Sequence, residues 1–295
     1  KCRSIRDIKK IKVLDPACGS GSFLIKVLET IYEKYESLGA IGNEEFVKIQ
    51  ILEENIYGVD LDQQAVEITR LNLLINSLTE KMRLPNLKNI KNGNSLISGT
   101  DEELEGYFGK NFKDKKPFNW QEQFPEVFKQ GGFDVVIGNP PYIRVDSLDE
   151  NDKFFWKDCF KAAKGKYDIY YLFIEKGICL LKDNGKLGFI IPNKFCVAAS
   201  GKELRNFIFG SSIIAKFFSV SRIDIFKDAS NYPVILFVEK GKPEDKVGLG
   251  FANNEEDFLN QNFIDYTISK KALAILPAQI IPVNTEKNIV KLVIN

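Results

Sequence analysis

The sequence predicts an α/β protein built on a mostly parallel sheet of seven strands, with helices on both faces and an antiparallel strand at the edge. Three observations predict it. Short apolar runs alternate with segments of helical period through most of the chain. One of those runs, Phe133 to Gly138, is nearly unbroken in apolar residues, as central parallel strands covered on both faces are. Loops rich in glycine, proline and asparagine separate the elements. The 295 residues suffice for one large domain or two small ones with a full-sized core.

The first strand spans residues 12–15 and runs into the glycine turn ACGSGSF; Ile25, Leu28, Ile31, Tyr32 and Tyr35 then recur at helical spacing. A second helix is expected at 43–53, a strand at 55–60, an amphipathic helix at 65–78 and a weaker strand at 87–92 that ends at Gly93-Asn94-Ser95. Residues 98–131 are polar, lysine-rich and poorly periodic, and read as a surface insertion. The sheet resumes at Phe133 to Gly138, followed by a loop at 139–166, a helix at 168–181, a strand at 187–191 and a helix at about 200–209. Strands at 213–220 and 234–238 close the sheet as an antiparallel edge pair. Beyond Gly241 the pattern decays. The expected organisation is therefore a catalytic domain at 1–240 and an extension at 241–295.

Composition excludes several chemistries. There is no histidine, so no Ser-His-Asp or Cys-His nucleophile system, imidazole base or histidine metal ligand can exist in this sequence. The five cysteines, Cys2, Cys18, Cys159, Cys179 and Cys196, are scattered without a CxxC pair, which argues against a disulfide framework or zinc site; no metal is expected, and a reducing cytoplasm is the simplest home. Lys+Arg of 41 against Asp+Glu of 40 leaves +1, so a polyanion must be held by local clusters. No apolar stretch approaches a membrane span, and the N-terminus lacks the apolar core of a signal peptide. The absence of an initiating Met suggests that the sequence begins inside a longer polypeptide.

Three constellations carry chemistry. Asp15-Pro-Ala-Cys-Gly-Ser-Gly-Ser-Phe23 stands at the carboxyl end of the first strand, where open α/β sheets bind ligands. Gly19 and Gly21 allow close backbone approach, although a structural tight turn explains the same letters. Leu24 replaces the third glycine of a dinucleotide fingerprint, which argues against a nicotinamide site. Asp60, ending the second strand, suits two ribose hydroxyls, because one carboxylate accepts both hydrogen bonds; Asp62 reads as a helix N-cap. The sharpest feature is Asn139-Pro140-Pro141-Tyr142 after the apolar strand FDVVIG. The Asn139 side-chain carbonyl and the Pro140 carbonyl supply two acceptors for one NH₂ group, the prolines hold them rigidly, and Tyr142 offers a face for a planar base. Two such hydrogen bonds draw an aromatic amine toward tetrahedral geometry and localise its lone pair, so no strong base is needed if the electrophile is already activated.

DPACGSGSF, YGVDLD, FDVVIGNPPY and KYDIYYLFIEKGICLLKDNGKLGFIIPN, in that order, resemble the adenine-N6 amino-group DNA methyltransferases of gamma motif order. They are most similar to the methyltransferase region of type IIG restriction–modification enzymes, over residues 12 to about 240. The resemblance implies a Rossmann-like methyltransferase fold, S-adenosyl-L-methionine as cofactor and double-stranded DNA as partner. It places Asp15 and Ala17 along the methionine part of the cofactor, with Gly19 and Gly21 making room. Asp60 would hold the ribose, Leu61, Pro141 and Phe173 would enclose the adenine, and Asn94 stands where such enzymes usually carry an Asp. Asn139 and Pro140 would hold the target amine of an extruded adenine, with Tyr142 on one face and Phe226 closing on the other. The other reading of Phe226 is a core residue, one of 23 phenylalanines in the sequence.

The family's N-terminal cofactor segment and a target-recognition domain have no room here, and Glu244-Asp245-Lys246 lacks the upstream acid of a nuclease site. The expectation is a catalytic core cut from a larger enzyme, its flanking nuclease and recognition regions missing. Lysines 153, 157, 161, 164 and 166, interleaved with Phe154, Phe155, Trp156 and Phe160, would track a phosphate backbone or form a solvated helix face. Protein glutamine methylation, RNA adenine methylation and an inactive cofactor-binding module remain the other readings.

Overall fold

A computed structural model describes residues 4–39, 43–77, 85–220, 223, 233–276, 279–283, 285–287 and 289–290. They form two compact units, one of residues 1–138 with 180–182, the other of residues 139–179 with 183–295.

In the first unit, strands β1 (Val13–Asp15), β2 (Ile56–Asp60), β3 (Ile90–Asn92) and β4 (Phe133–Gly138) are all parallel, in the order β3-β2-β1-β4. Alternation along β2 divides its surroundings. Gly58 lies under the helix Ser22–Ser37, where an added Cβ would stand 2.9 Å from Leu24 Cδ1. Leu24, Leu28 and Ile31 of that helix join Ile51, Ile56, Val66 and Leu73 in one buried cluster. The helices Glu44–Glu54 and Gln63–Ile75 match the periodic segments, and Asp62 N-caps the second through Gln64 N at 2.9 Å.

Tyr57, the residue before Gly58 in β2, meets Phe124 and Phe133 edge to face at centroid distances of 5.1 and 5.4 Å. Phe118 and Trp120 extend the same cluster. This corrects the reading of 98–131 as a surface insertion: Phe118, Trp120, Phe124 and Val127 are buried core. The helices there, Asp101–Phe108, Trp120–Gln123 and Pro125–Phe128, are too short to print a period on the sequence, and Pro117 and Pro125 break the run.

The second unit carries β5 (Leu181–Pro192), whose first two residues group with the first unit, then β6 (Ser212–Ser219), β7 (Pro233–Lys240), β8 (Val247–Phe251) and β9 (Ile264–Ile268). Their order is β5-β7-β6-β8-β9. β7 is antiparallel to β5 and β6, β8 is parallel to β6, and β9 is antiparallel to β8. Helices Tyr170–Leu180 and Lys202–Ser211 lead into β5 and β6.

The described residues thus hold nine strands, two more than expected, and the β6/β7 pair is antiparallel but internal. β8 was hidden by its own packing. Gly248 and Gly250 lie against Lys216 and Phe218, and a Cβ at Gly250 would come within 2.6 Å of the Phe218 ring, so the strand reads VGLGF and resembles a turn. After Gly241, β8 and β9 join the second unit's sheet; Ile281 is buried, its N–H donates to Cys196 O at 2.8 Å, and the Tyr266 hydroxyl donates to Thr285 O at 2.6 Å. β5 begins six residues earlier than expected, and Asn184 within it has φ 62°.

Candidate functional site

The loop after β1 is fastened from several sides. Asp15 is buried and its Oδ1 accepts from Ala17 N at 3.0 Å. Ser95 Oγ donates to Pro16 O at 2.6 Å, Thr69 Oγ1 to Gly19 O at 2.7 Å and Asn72 Nδ2 to Ser20 O at 2.9 Å. Gly21 begins the helix Ser22–Ser37 at φ 84°, where a Cβ would meet Thr69 Cγ2 at 3.0 Å. Gly19 is open by contrast: a Cβ there would meet nothing within 4 Å. Thr69 and Asn72, three residues apart on one helix face, escaped the sequence reading; a polar pair on an amphipathic helix was the available sign.

Asp60 is tied to the same loop. Its Oδ2 accepts from Gly19 N and its Oδ1 from Asp62 N, both at 2.9 Å, which fixes the carboxylate plane and leaves one acceptor position on each oxygen. Asn92 Nδ2 donates to Asp60 O and Leu61 O, and Lys116 Nζ reaches Leu61 O at 3.1 Å. The Leu61 side chain is exposed. Asn94 Oδ1 accepts from Leu96 N at 3.1 Å and Asn94 N donates to Lys116 O at 2.7 Å, so one lone pair of that carbonyl remains for a ligand. The first unit therefore holds Asp15, Ala17, Gly19, Gly21, Asp60, Leu61 and Asn94 at the carboxyl ends of β1 and β2 and on the loops after β1, β2 and β3.

Burial pushes the Asp15 carboxyl up to about 7, the charge of Asp60 adds to the rise, and the Ala17 N–H opposes it. Gly138, the last residue of β4, has φ 157°, and a Cβ there would stand 2.6 Å from Asp15 Oδ1. Only glycine lets β4 end against that carboxylate.

Asn139 opens the second unit. Its Oδ1 accepts from the Tyr142 hydroxyl, which also lies 3.0 Å from Ile190 O of β5. The Tyr142 ring meets Tyr170 edge-on at 5.8 Å, and the Tyr170 hydroxyl donates to Pro192 O at 3.2 Å. Residues 143–145 and 167–169 pair beyond the loop, through Ile169 N to Ile143 O and Val145 N to Tyr167 O. Pro140 is buried, Pro141 half-buried, and Phe173 buried in the helix Tyr170–Leu180. Phe226 lies outside the described residues.

Residues 54–226 match the sequence model of the family described as Eco57I restriction-modification methylase. The chain belongs to that family. Among its methylase relatives, the type II restriction enzyme and methyltransferase RM.Eco57I of Escherichia coli is 32% identical over 272 residues, 81% of this chain and 26% of the relative. The adenine-specific methyltransferase PglX of Streptomyces coelicolor is 25% identical over 228 residues, 70% of this chain and 18% of the relative. The chain thus spans about a quarter or less of the lengths of these relatives. In three dimensions it is similar to a nuclease-deletion mutant of the Type ISP restriction–modification enzyme LlaGI, solved with a DNA substrate mimic. The TM-score is 0.62 at 16% identity, with 96% of this chain and 25% of that one covered. That likeness shows the α/β methyltransferase fold.

The lysine-rich segment is less one-sided than its letters. In the helix Glu150–Cys159, Phe155 and Trp156 are buried and Lys153 pairs with Glu150 at 2.7 Å. Lys157, Lys161 and Lys164 line an open cleft of about 580 Å³ together with Asp158, Glu175 and Glu203, so acids offset its charge. No candidate site residue lines that cleft. Among the described residues no cluster of acids and cysteines could hold a metal, no helix is long and apolar enough to cross a membrane, and Cys18, Cys159, Cys179 and Cys196 carry no disulfide.

Proposed function

We propose that this methylase domain transfers a methyl group from S-adenosylmethionine to the N6 amine of an adenine flipped out of double-stranded DNA, within a cytoplasmic restriction–modification system. The observation that carries the reading is the Asn139-Pro140-Pro141-Tyr142 turn, begun where Gly138 abuts Asp15 and fastened to β5 through Tyr142 and Ile190.

The cofactor's demands fit the first unit. The open space at Gly19 admits a ligand against the backbone. Asp60 retains the two acceptor positions that a pair of ribose hydroxyls takes, and Asp15 is a buried carboxylate suited to the cationic methionine end. Leu61, Pro141 and Phe173 are assigned to the cofactor's adenine ring, and Asn94 to its amino group. When bound, S-adenosylmethionine supplies a methyl carbon on a positively charged sulfur. Asn139 Oδ1 and Pro140 O would accept from the target NH₂, raising electron density on its nitrogen, and the proton that nitrogen sheds as its new bond to carbon replaces the carbon–sulfur bond would leave to water. Tyr142 stacks on the extruded base, and Phe226 is assigned to its other face.

Labelled methyl donor offered with duplex DNA, and separately with a glutamine-bearing protein acceptor, tests the reading. Label in DNA supports it; label in the protein acceptor overturns it. Phe226→Ala sharpens the choice, since loss of its ring disables a base clamp and leaves a glutamine amide unaffected.

A further inference from the structure

We propose that the Tyr142 hydroxyl is a positioning group that sets which atom of the Asn139 amide faces the substrate, a role separate from ring stacking. The inference rests on the methyl-transfer reading for its purpose and on hydrogen-bond valence for its geometry.

Tyr142 Oη carries one proton and has two acceptors in reach, Ile190 O at 3.0 Å and Asn139 Oδ1, the atom that the structure turns toward it. Burial pushes the phenol up to about 12, so the proton stays in place at neutral pH. Ile190 O is a backbone carbonyl of β5, held by antiparallel pairing with Ile235 of β7, and can only accept. A phenol donates once and accepts through its lone pairs. If it donates to Asn139 Oδ1, the Ile190 carbonyl faces a bare oxygen; if it donates to Ile190, an Asn139 oxygen turned toward it meets lone pairs.

One arrangement satisfies all three groups. The amide turns so that Asn139 Nδ2 donates to Tyr142 Oη, and Tyr142 Oη donates to Ile190 O. The two faces of a terminal amide are nearly isosteric, so hydrogen bonds decide between them. Asn139 Oδ1 is then directed away from the phenol and available to an incoming amine. The same relay fixes the Tyr142 ring, whose edge contact with Tyr170 leaves it 38% exposed.

Neutron diffraction from the perdeuterated full chain reads the geometry without reference to activity. The inference expects a deuteron on the Asn139 atom facing Tyr142 and the Tyr142 deuteron aimed at Ile190 O; a Tyr142 deuteron aimed at Asn139 overturns it. Tyr142→Phe then reads the purpose. Loss of one neutral hydrogen bond predicts a kcat about tenfold lower. KM for DNA and the fluorescence change of 2-aminopurine at the target should stay within about twofold, because the aromatic face survives. An unchanged kcat, or a parallel loss of base stacking, overturns the positioning role. Wild-type protein with the expected deuterons and no methyl transfer to DNA would instead remove the methyl-transfer reading and leave the amide geometry standing.

Discussion

Replacing Asp15 by Asn removes a buried ionisation and should change how stability depends on pH. Burial and the neighbouring Asp60 raise the Asp15 carboxyl from an ordinary 3.8 to about 7. Between those values the native chain holds a proton that the unfolded chain has released. Stability from this group is therefore complete below about pH 4 and disappears as pH rises through about 7. The interval of about three pKa units corresponds to about 4 kcal/mol, of which about 3 kcal/mol is lost between pH 5 and pH 8. Asn keeps the volume and the acceptor for Ala17 N but does not titrate. Urea unfolding of both proteins at pH 5 and pH 8 isolates the effect, because groups not coupled to Asp15 cancel in the difference. The variant should gain about 3 kcal/mol on wild type over that interval; a stability gap that does not change with pH would refute the assignment of a buried, proton-holding Asp15.

Other consequences are independent of that one. Asn139→Ala should abolish methyl transfer while donor affinity by calorimetry stays within about twofold; equal loss of both would remove Asn139 from the target side of the reaction. Asp60→Ala should weaken donor binding by about 2 kcal/mol, a ~30-fold rise in Kd, and an unchanged Kd would exclude it from the ribose site. Trp120→Ala should cost about 3–5 kcal/mol in unfolding experiments, since that ring is buried against Phe118 and Phe133; a cost below about 1 kcal/mol would restore residues 98–131 to the surface.

Legibility followed local information. Strands β1, β2 and β4 could be read because strands covered on both faces are rich in apolar residues, and Asp62 could be read as a cap because capping involves a few neighbouring residues. The aromatic core of 118–133 and strand β8 could not. Trp120 and Phe124 belong to a cluster assembled from separate elements around Tyr57, and the glycines of β8 are set by the size of Lys216 and Phe218 on another strand. The site divides in the same way. Asp15, Asp60 and Asn139 stand at strand ends that the sequence marks. Thr69, Asn72, Ser95 and Asn92, which hold the loops those residues occupy, act through hydrogen bonds to backbone atoms far away in sequence. Apart from the polar pair that Thr69 and Asn72 make on one helix face, such partners leave no local pattern.

The account turns on which nitrogen receives the methyl group. DNA incubated with the chain and isotopically labelled donor, digested to nucleosides and separated by mass spectrometry, identifies it. Labelled N6-methyladenine is the predicted product, absent from the Asn139→Ala reaction. Label on any other nucleoside, or on adenine without dependence on Asn139, contradicts the account.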